Sequence, residues 1–527
     1  MTIKASAPDR AQALQGDLGS QSVESWRVQL DLEVFRQVNA PDGSLISIES
    51  ETLVAGTSLE MMIPGREVPL RLQLDTVYEG QDGVITHAGV IKGDDGSLAA
   101  ITIHGDLVLG KIHHSEGYTY LIEGGHHVGG YTLSIIDQSM IHRPRKKHLH
   151  DHGSASEDSL STRHTLDLDG DLKLHASASG EVRLLVLYTP AAASETNIDL
   201  LANNLVSSFN QSLLLSGVDS SNYVTLAGVH SIDDDLENLG SRCNDEIVID
   251  MAERDGAFDQ LDSWMSMAYA DIALTVVTTE SGYSECAYGV YGRIGGAAWL
   301  IPSAEYPDHP DPFSNTTHTF ALADLTAIHE IGHVLNGLHE DNCQIGTIPS
   351  YGCGYAPTHC EWQTIMAGYG QCGFDFGQDP DQQPTARIAR WSNPDVTYNS
   401  EPTGVAGSGP AGRNMAAALE INMPHAATWK GAQPSPPWAP NPISALHFPC
   451  WGHNTINWTE KLGATEYRLY QSHSSSFSSP QLVYSGPNTG ITLNVGQTTW
   501  LRARSCNAGG CSPDSDQVVA HYTGNCM

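Results

Sequence analysis

The chain is organised around the stretch His329-Glu330-Ile331-Gly332-His333-Val334-Leu335-Asn336-Gly337-Leu338-His339, which lies near the middle of its 527 residues. Residues four positions apart lie on one face of an α-helix, so His329 and His333 can present imidazole nitrogens to one metal ion. Apolar residues recur at helical spacing beside that face, which is typical of a helix buried on one side. The stretch therefore predicts a metal-binding helix in a protein core.

The third ligand is expected to be His339. A straight helix would rotate His339 away from the other two histidines, so the chain must turn sharply before it. Asn336-Gly337 supplies that turn, because Gly and Asn best tolerate the left-handed conformation that ends a helix. Zinc with three protein ligands lowers the pKa of a bound water from about 15.7 to about 7. We therefore predict a zinc site with Glu330 beside it as general base.

A second motif lies downstream, where Thr364-Ile365-Met366-Ala367-Gly368-Tyr369 resembles the Met-turn beneath the zinc site of metzincins. With these two motifs the sequence resembles the metzincin metallopeptidases, specifically the bacterial reprolysin-like and peptidyl-Asp metalloendopeptidase family. The family pattern H-E-x-x-H-x-x-G-x-x-H maps onto His329, Glu330, His333 and His339. Asn336 stands where the family has glycine. The resemblance implies an α/β, zincin-like catalytic domain that uses zinc to hydrolyse protein or peptide substrates.

Two further features are candidates for substrate binding. The small residues before the zinc helix would let an extended peptide pair with an exposed strand edge. By resemblance this edge comprises Gly296, Ala297, Ala298 and Trp299, and an ordinary glycine-containing loop is the alternative. Peptidyl-Asp enzymes cleave on the amino side of acidic residues, so Arg387 or Arg390 could pair with a substrate carboxylate. The alternative for both arginines is a place on a helix surface.

Charge and cysteine content restrict partners and compartment. Asp and Glu number 61 against 26 Lys and Arg, a formal charge of −35, which argues against nucleic acid and anionic membrane surfaces as partners. No apolar run is long enough to span a membrane. All ten cysteines lie between Cys243 and Cys526, a pattern that favours disulfides in a secreted protein. The first twenty residues lack the apolar core of a signal peptide, so a signal has been removed or omitted, or the start is not native.

The length suggests about three domains at about 150 residues each. The expected order is a disordered N-terminus (1–25), a β-rich propeptide (26–140), an exposed linker with the maturation site (141–180), the catalytic domain (181–431), a Pro-rich linker (432–444) and a fibronectin type III-like domain (445–527). In the catalytic domain, strand patterns at Val182–Tyr188, Tyr223–Val229 and Ile272–Thr278 alternate with helical patterns. This alternation predicts an α/β domain with a largely parallel sheet.

The segment before the catalytic domain alternates apolar and polar residues in short runs, which predicts a β-rich fold, and it resembles the propeptide of reprolysin-like zymogens. No cysteine precedes Cys243, which excludes a cysteine switch. The remaining inhibitory candidates are Asp169, Asp171, His126 and His127, or plain steric cover. Calcium could bind Asp233–Asp235 or the group Asp375, Asp379 and Asp381, but neither matches an EF-hand loop.

The C-terminal residues form short alternating strands after the Pro-rich linker and resemble a bacterial fibronectin type III domain. Cys506 and Cys511 bracket a turn that a disulfide could close. We expect this all-β module to bind a surface, a glycan or a substrate protein. The rival to a secreted zymogen is a catalytically silent adhesive or binding protein of metzincin fold. Retention of Glu330 and all three histidines favours the enzyme.

Overall fold

A computed structural model of the protein describes residues 2–5, 23–29, 57–63, 68–80, 83–125, 130–138, 180–232, 244–278, 296–298, 313–340, 343, 349–368, 372, 386–428, 436–447 and 453–522. Along the chain these residues form a β-barrel, an α/β unit and a β-sandwich. Several sequence candidates lie outside the described residues, namely His126, His127, Asp169, Asp171, Asp233–Asp235, Trp299, Asp375, Asp379 and Asp381.

The N-terminal strands close into a barrel. They are β1 (Thr2–Ala5), β2 (Val23–Gln29), β3 (Thr57–Met61), β4 (Leu70–Glu79), β5 (Ile85–Ile91), β6 (Asp94–His104), β7 (Leu107–His114), β8 (Tyr118–Gly125) and β9 (Gly130–Asp137). The order around the barrel is β1-β2-β9-β8-β7-β6-β5-β4-β3, and β1 closes it by pairing in parallel with β3. The other neighbouring strands pair antiparallel.

The start of the chain differs from the sequence prediction. Residues 2–5 form a strand, where disorder was expected over 1–25. Ile3 pairs with Met61 and Lys4 pairs with Gln29, so the segment fills the gap between β2 and β3. A four-residue strand shows too little alternation to be recognised, and its hydrogen-bond partners lie far along the chain.

The barrel wall has two apolar faces. On β6, Ala99 and Ile101 belong to the barrel's own core, whereas Leu98 and Ala100 belong to the core of the α/β unit. Leu109 of β7 joins that second core as well. Successive side chains of a strand point to opposite faces, so this alternation is what lets one wall serve two cores. The barrel and the α/β unit therefore share one continuous apolar cluster.

The α/β unit is built on a five-stranded sheet. Its strands are β10 (Gly180–Tyr188), β11 (Asn222–Ser231), β12 (Ile272–Val277), β13 (Gly296–Ala298) and β14 (Phe313–Thr317), in the order β11-β10-β12-β14-β13. Neighbours pair in parallel except β13, which pairs antiparallel with β14 at the sheet edge. A small hairpin follows, formed by β15 (Thr397–Tyr398) and β16 (Glu401–Pro402).

The helices of this unit are α1 (Pro190–Glu195), α2 (Ile198–Leu215), α3 (Asn244–Glu253), α4 (Leu261–Ala268), α5 (His318–Ala323), α6 (Thr326–Val334) and α7 (Met415–Ala426). Helix α2 is buried along almost its whole length and packs against both β11 and the barrel strands β5 to β7. Asn204 of α2 donates a hydrogen bond to the carbonyl oxygen of Ala100 at 2.9 Å. Helix α2 thus connects the barrel to the sheet. None of the helices that the structure describes is long and apolar enough to cross a membrane.

The C-terminal unit contains two antiparallel sheets around one core. One sheet holds β17 (Ile443–His447), β18 (His453–Trp458) and β21 (Gly490–Asn494). The other holds β19 (Glu466–Ser472), β20 (Gln481–Gly486), β22 (Thr499–Asn507), β23 (Gly510–Cys511) and β24 (Val518–Ala520). Ile456, Trp458, Leu469 and Leu501 are among the buried core residues that the two sheets share.

Disulfides join three pairs of described cysteines. Cys506–Cys511 links β22 to β23, which is the pairing that the sequence suggested. Cys343–Cys353 and Cys360–Cys372 close loops of the α/β unit. Such pairs persist in oxidising compartments.

Candidate active site

Helix α6 carries the first two histidines of the candidate site. The helix begins at Thr326, whose backbone N–H donates to Oδ1 of Asp324 at 2.7 Å, and it ends at Val334. His329 and His333 lie one turn apart, with their ring centroids separated by 4.6 Å. The remaining helix surface is packed in the core of the α/β unit. The helix therefore holds both imidazoles on one face at the edge of a rigid interior.

The chain reverses directly after α6. Asn336 has a positive φ of 65°, and the N–H of Gly337 donates to the carbonyl oxygen of Gly332 at 2.8 Å. This left-handed residue ends the helix at the position where the sequence predicted a turn. Leu338 then exchanges backbone hydrogen bonds with residues 352 and 354. The turn brings His339 back beside the helix.

The three histidines converge through their Nε2 atoms. Nε2 of His339 lies 3.0 Å from that of His329 and 3.1 Å from that of His333. A tetrahedral zinc with Zn–N bonds of about 2.0–2.1 Å holds its nitrogens about 3.3 Å apart. The spacing of the three donors therefore suits a single small cation.

Hydrogen bonds on the opposite side of two rings place a hydrogen on Nδ1. Nδ1 of His329 lies 2.6 Å from the carbonyl oxygen of Ile365, and Nδ1 of His333 lies 2.8 Å from that of Gly337. A carbonyl oxygen only accepts, so both Nδ1 atoms carry the hydrogen and both Nε2 atoms of the neutral rings present lone pairs. Lone pairs that face one another repel unless a cation lies between them. The residues present fit a bound metal ion, and three neutral imidazoles are a donor set that zinc accepts.

Glu330 follows the first histidine and is buried. Burial raises the pKa of its carboxyl to about 8, with Arg387 opposing the shift and Asp324 adding to it. The charge of a bound dication would act in the same direction as Arg387 and favour the carboxylate. A carboxyl group with a pKa of about 7 is suited to accept a proton and then return it during one reaction cycle.

The loop around Met366 supports the site from below. A Cβ on Gly332 of the helix would lie 2.7 Å from Cζ3 of Trp391 and would also overlap the sulfur of Met366, so both side chains require glycine at this position. A Cβ on Gly368 would lie 2.6 Å from the ring of His339. The Met366 loop thus packs against α6 and the third histidine.

The two candidate arginines occupy different surroundings. Burial, and after it the charge of Arg387, lowers the pKa values of His329 and His339, so the Arg387 guanidinium acts directly on the histidine cluster. Nε of Arg387 is buried and has no hydrogen-bond partner among the described residues. Arg390 is buried as a whole, and its Nε and Nη1 likewise have no hydrogen-bond partner among the described residues. The charged groups that act on it, however, are Asp95 and Asp94 of the barrel and Tyr398 rather than the histidine cluster. Arg387 is therefore the better placed of the two to meet a substrate.

The candidate substrate edge is the outermost strand of the α/β sheet. In β13, Gly296 pairs with Thr316 and Ala298 pairs with Ser314, which leaves the other side of β13 without a strand neighbour in the described part of the sheet. An extended peptide could add there through main-chain hydrogen bonds.

Two contributors to the site escaped the sequence analysis. Glu340 is buried and accepts a hydrogen bond from the N–H of Gly368 at 2.6 Å, which ties the third histidine's segment to the Met366 loop. The second is Asp324, whose carboxylate accepts from the N–H of Thr326 at the start of α6 and whose charge raises the pKa of Glu330. A carboxylate directly after His339, and another two residues before the helix, were the visible signals. Each is a single carboxylate that belongs to no periodic pattern, so the sequence did not indicate its role.

Comparisons with known proteins give relatives of one kind. No family model matches the chain. A peptidyl-Asp metalloendopeptidase of Xanthomonas campestris pv. campestris is 26% identical over 365 residues, which cover 66% of this chain and 76% of the relative. Enzymes of the same name from two strains of Stenotrophomonas maltophilia are each 26% identical and cover 60% and 59% of this chain and 68% and 67% of the relatives.

Two solved fibronectin type III proteins match a small part of the chain. The crystal structure of FN3tt is 19% identical with a TM-score of 0.15 and covers 16% of this chain and 95% of that one. An Fn3-like protein from Clostridium thermocellum is 18% identical with a TM-score of 0.16 and covers 18% of this chain and all of that one. The curated relatives are therefore bacterial metalloendopeptidases, to which the chain is similar over about two thirds of its length.

Proposed function

We propose that this protein is a zinc-dependent endopeptidase of the metzincin type. The observation that carries the proposal is the convergence of three imidazole Nε2 atoms, on His329, His333 and His339, with Glu330 on the same helix. The similarity to curated metalloendopeptidases supports the same reaction class independently of this geometry.

The residues divide the chemistry between them. A zinc ion held by the three histidines would act as a Lewis acid, lowering the pKa of coordinated water to about 7 and polarising the scissile carbonyl. Glu330 accepts a proton from the attacking water as its oxygen adds to the carbonyl carbon. The same residue delivers the proton to the amine nitrogen as the C–N bond breaks. The edge of β13 holds the substrate in an extended conformation, so that the scissile bond lies beside Glu330 and the three histidines.

Substrate preference is assigned to Arg387. The relatives are named for peptidyl-Asp cleavage, and Arg387 offers a buried guanidinium nitrogen beside the histidine cluster. An acidic side chain on the primed side of the scissile bond would pair with it through charge-assisted hydrogen bonds. Arg390 serves the contact with the barrel instead.

The remaining domains fit an exported precursor. The barrel is the proposed prosegment, maturation is a cut within residues 141–180, and the C-terminal sandwich is a fibronectin type III-like module that binds a surface, a glycan or a substrate protein. Three disulfides among the described residues support secretion into an oxidising compartment.

The test is cleavage of a peptide library by the matured protein, with the new N-termini identified by mass spectrometry. We expect cleavage that a chelator abolishes and zinc restores, with Asp or Glu enriched at the new N-termini. Cleavage that survives complete metal removal would contradict the zinc assignment. Zinc binding without cleavage after confirmed maturation would favour the silent binding protein.

A further inference from the structure

The barrel contacts the segment that leads into the zinc helix. Lys111 of β7 is buried, and its Nζ donates to the carbonyl oxygens of Ala321, at 2.7 Å, and Asp324. Thr119 of β8 donates to the carbonyl oxygen of Ala323. The last carbonyls of a helix lack partners within the helix, so these barrel side chains complete the C-terminal end of α5. That end lies directly before α6.

The barrel also contacts the segment that carries Arg387. Nε2 of His113 lies 2.6 Å from the carbonyl oxygen of Arg387, and the N–H of Ala389 donates to the carbonyl oxygen of Gly96 at 2.8 Å. Because a carbonyl only accepts, Nε2 of His113 carries the hydrogen. Nδ1 of the neutral ring then accepts from Nε2 of Gln138, at 2.8 Å. The ring orientation is thus fixed from both sides within the barrel.

The contacted segment is coupled to the metal ligands. Ile388 and Gln363 join the Arg387 segment to the segment before Met366, since the N–H of Ile388 donates to the carbonyl oxygen of Gln363 at 2.8 Å. Two residues after Gln363, the carbonyl of Ile365 orients His329. One barrel histidine therefore lies a single hydrogen bond from the backbone of the residue whose guanidinium acts on the histidine cluster.

We infer that His113 is a positioning residue, through which the barrel sets the Arg387 guanidinium relative to the zinc ligands and so determines recognition of acidic side chains. This inference rests on the proposed function, because it explains how the site would recognise its substrate. The barrel would then be a prosegment that stays bound to the α/β unit after the cut within residues 141–180 and acts in the working enzyme. The shared apolar cluster, with Leu98 and Leu109 of the barrel packed into the α/β core, is consistent with a lasting attachment.

The test measures peptide binding apart from catalysis. In full-length protein carrying Glu330→Gln, fluorescence anisotropy gives the Kd of two labelled peptides that differ only in Asp or Asn after the scissile bond. The variants are His113→Leu, which removes the donor to Arg387, and His113→Gln, whose amide can still donate. Asn204→Ala is the matched control, since it removes a different hydrogen bond between the α/β unit and the barrel.

We expect the parent protein to prefer the Asp peptide by about tenfold, the worth of a charge-assisted hydrogen bond. His113→Leu should lower that preference at least about threefold by weakening Asp-peptide binding alone, whereas His113→Gln and Asn204→Ala should retain it. Equal weakening of both peptides by His113→Leu, an unchanged preference, or no Asp preference in the parent would each overturn the inference.

Cleavage by the protein with Glu330 intact separates this inference from the proposed function. If that protein, after confirmed maturation, cleaves neither peptide while the Glu330→Gln chain shows the expected His113 dependence, the endopeptidase proposal fails and the positioning role stands. If cleavage requires Glu330 but His113→Leu leaves the Asp preference intact, the positioning role fails and the endopeptidase proposal stands.

Discussion

Gly332 of helix α6 lies against Met366 so closely that no side chain fits between them. A Cβ at this position would overlap the sulfur and would also lie 2.7 Å from Cζ3 of the buried Trp391. The contact fixes the distance between the Met366 loop and helix α6. The same loop carries Ile365, whose carbonyl orients His329.

Gly332→Ala should therefore destabilise the protein and weaken metal binding. Inserting a methyl group into a packed core typically costs about 1–3 kcal/mol in the free energy of unfolding. The measurement is denaturant unfolding together with zinc affinity. Gly409→Ala is the matched control, because a Cβ there meets nothing within 4 Å. Equal stability and zinc affinity in the two variants would show that the Met366 contact does not constrain the helix.

Zinc retention should extend below the ordinary pKa of histidine. Burial, followed by the charge of Arg387, lowers the pKa of His339 from 6.5 to about 4, and burial lowers that of His329 well below 6.5. A lowered pKa means that the neutral, metal-binding ring persists as the pH falls. Zinc should therefore stay bound from about pH 6.5 to about pH 5 and be released only as the pH approaches about 4.

Zinc content after dialysis across that pH range is the measurement for this second prediction. Histidines of ordinary pKa would release the metal in mild acid, and the burial of His329 and His339 moves the expected release to lower pH. Half-release at the ordinary pKa of histidine would mean that burial does not protect the ligands.

The barrel should remain bound after the chain is cut between it and the α/β unit. A site for a specific protease placed within residues 141–180 allows a single cut. The two fragments should then coelute in size-exclusion chromatography, because separation would expose the shared apolar cluster and leave the carbonyls of Ala321, Ala323 and Asp324 without their barrel donors. The same cut protein in denaturant gives the elution of separated fragments. Separation under native conditions would identify the barrel as a dissociable prosegment.

Local features of the fold and site were accessible from the sequence. The spacing of His329, His333 and His339 indicated a shared metal, and Asn336-Gly337 indicated the turn that the structure places there. Both are encoded within eleven consecutive residues, where helix geometry and left-handed propensity act directly.

Features that depend on distant partners were not accessible. Arg387 and Arg390 were equal candidates, and they differ in the structure because the charge of Arg387 acts on His329 and His339, whereas Arg390 feels the charges of Asp94 and Asp95 in the barrel. The closure of the barrel by residues 2–5 and the contact of His113 with Arg387 likewise join segments far apart in the chain. No periodicity within either partner encodes such pairings.

The most direct test of the central claim compares casein or peptide cleavage by matured wild-type protein with cleavage by Glu330→Gln, with zinc content determined for both. Removing a general base typically costs about 10²–10⁴ in rate, and glutamine preserves the shape of the site. We expect equal zinc in the two proteins and a loss of cleavage of at least about a hundredfold in the variant. Equal zinc with equal cleavage rates would contradict it.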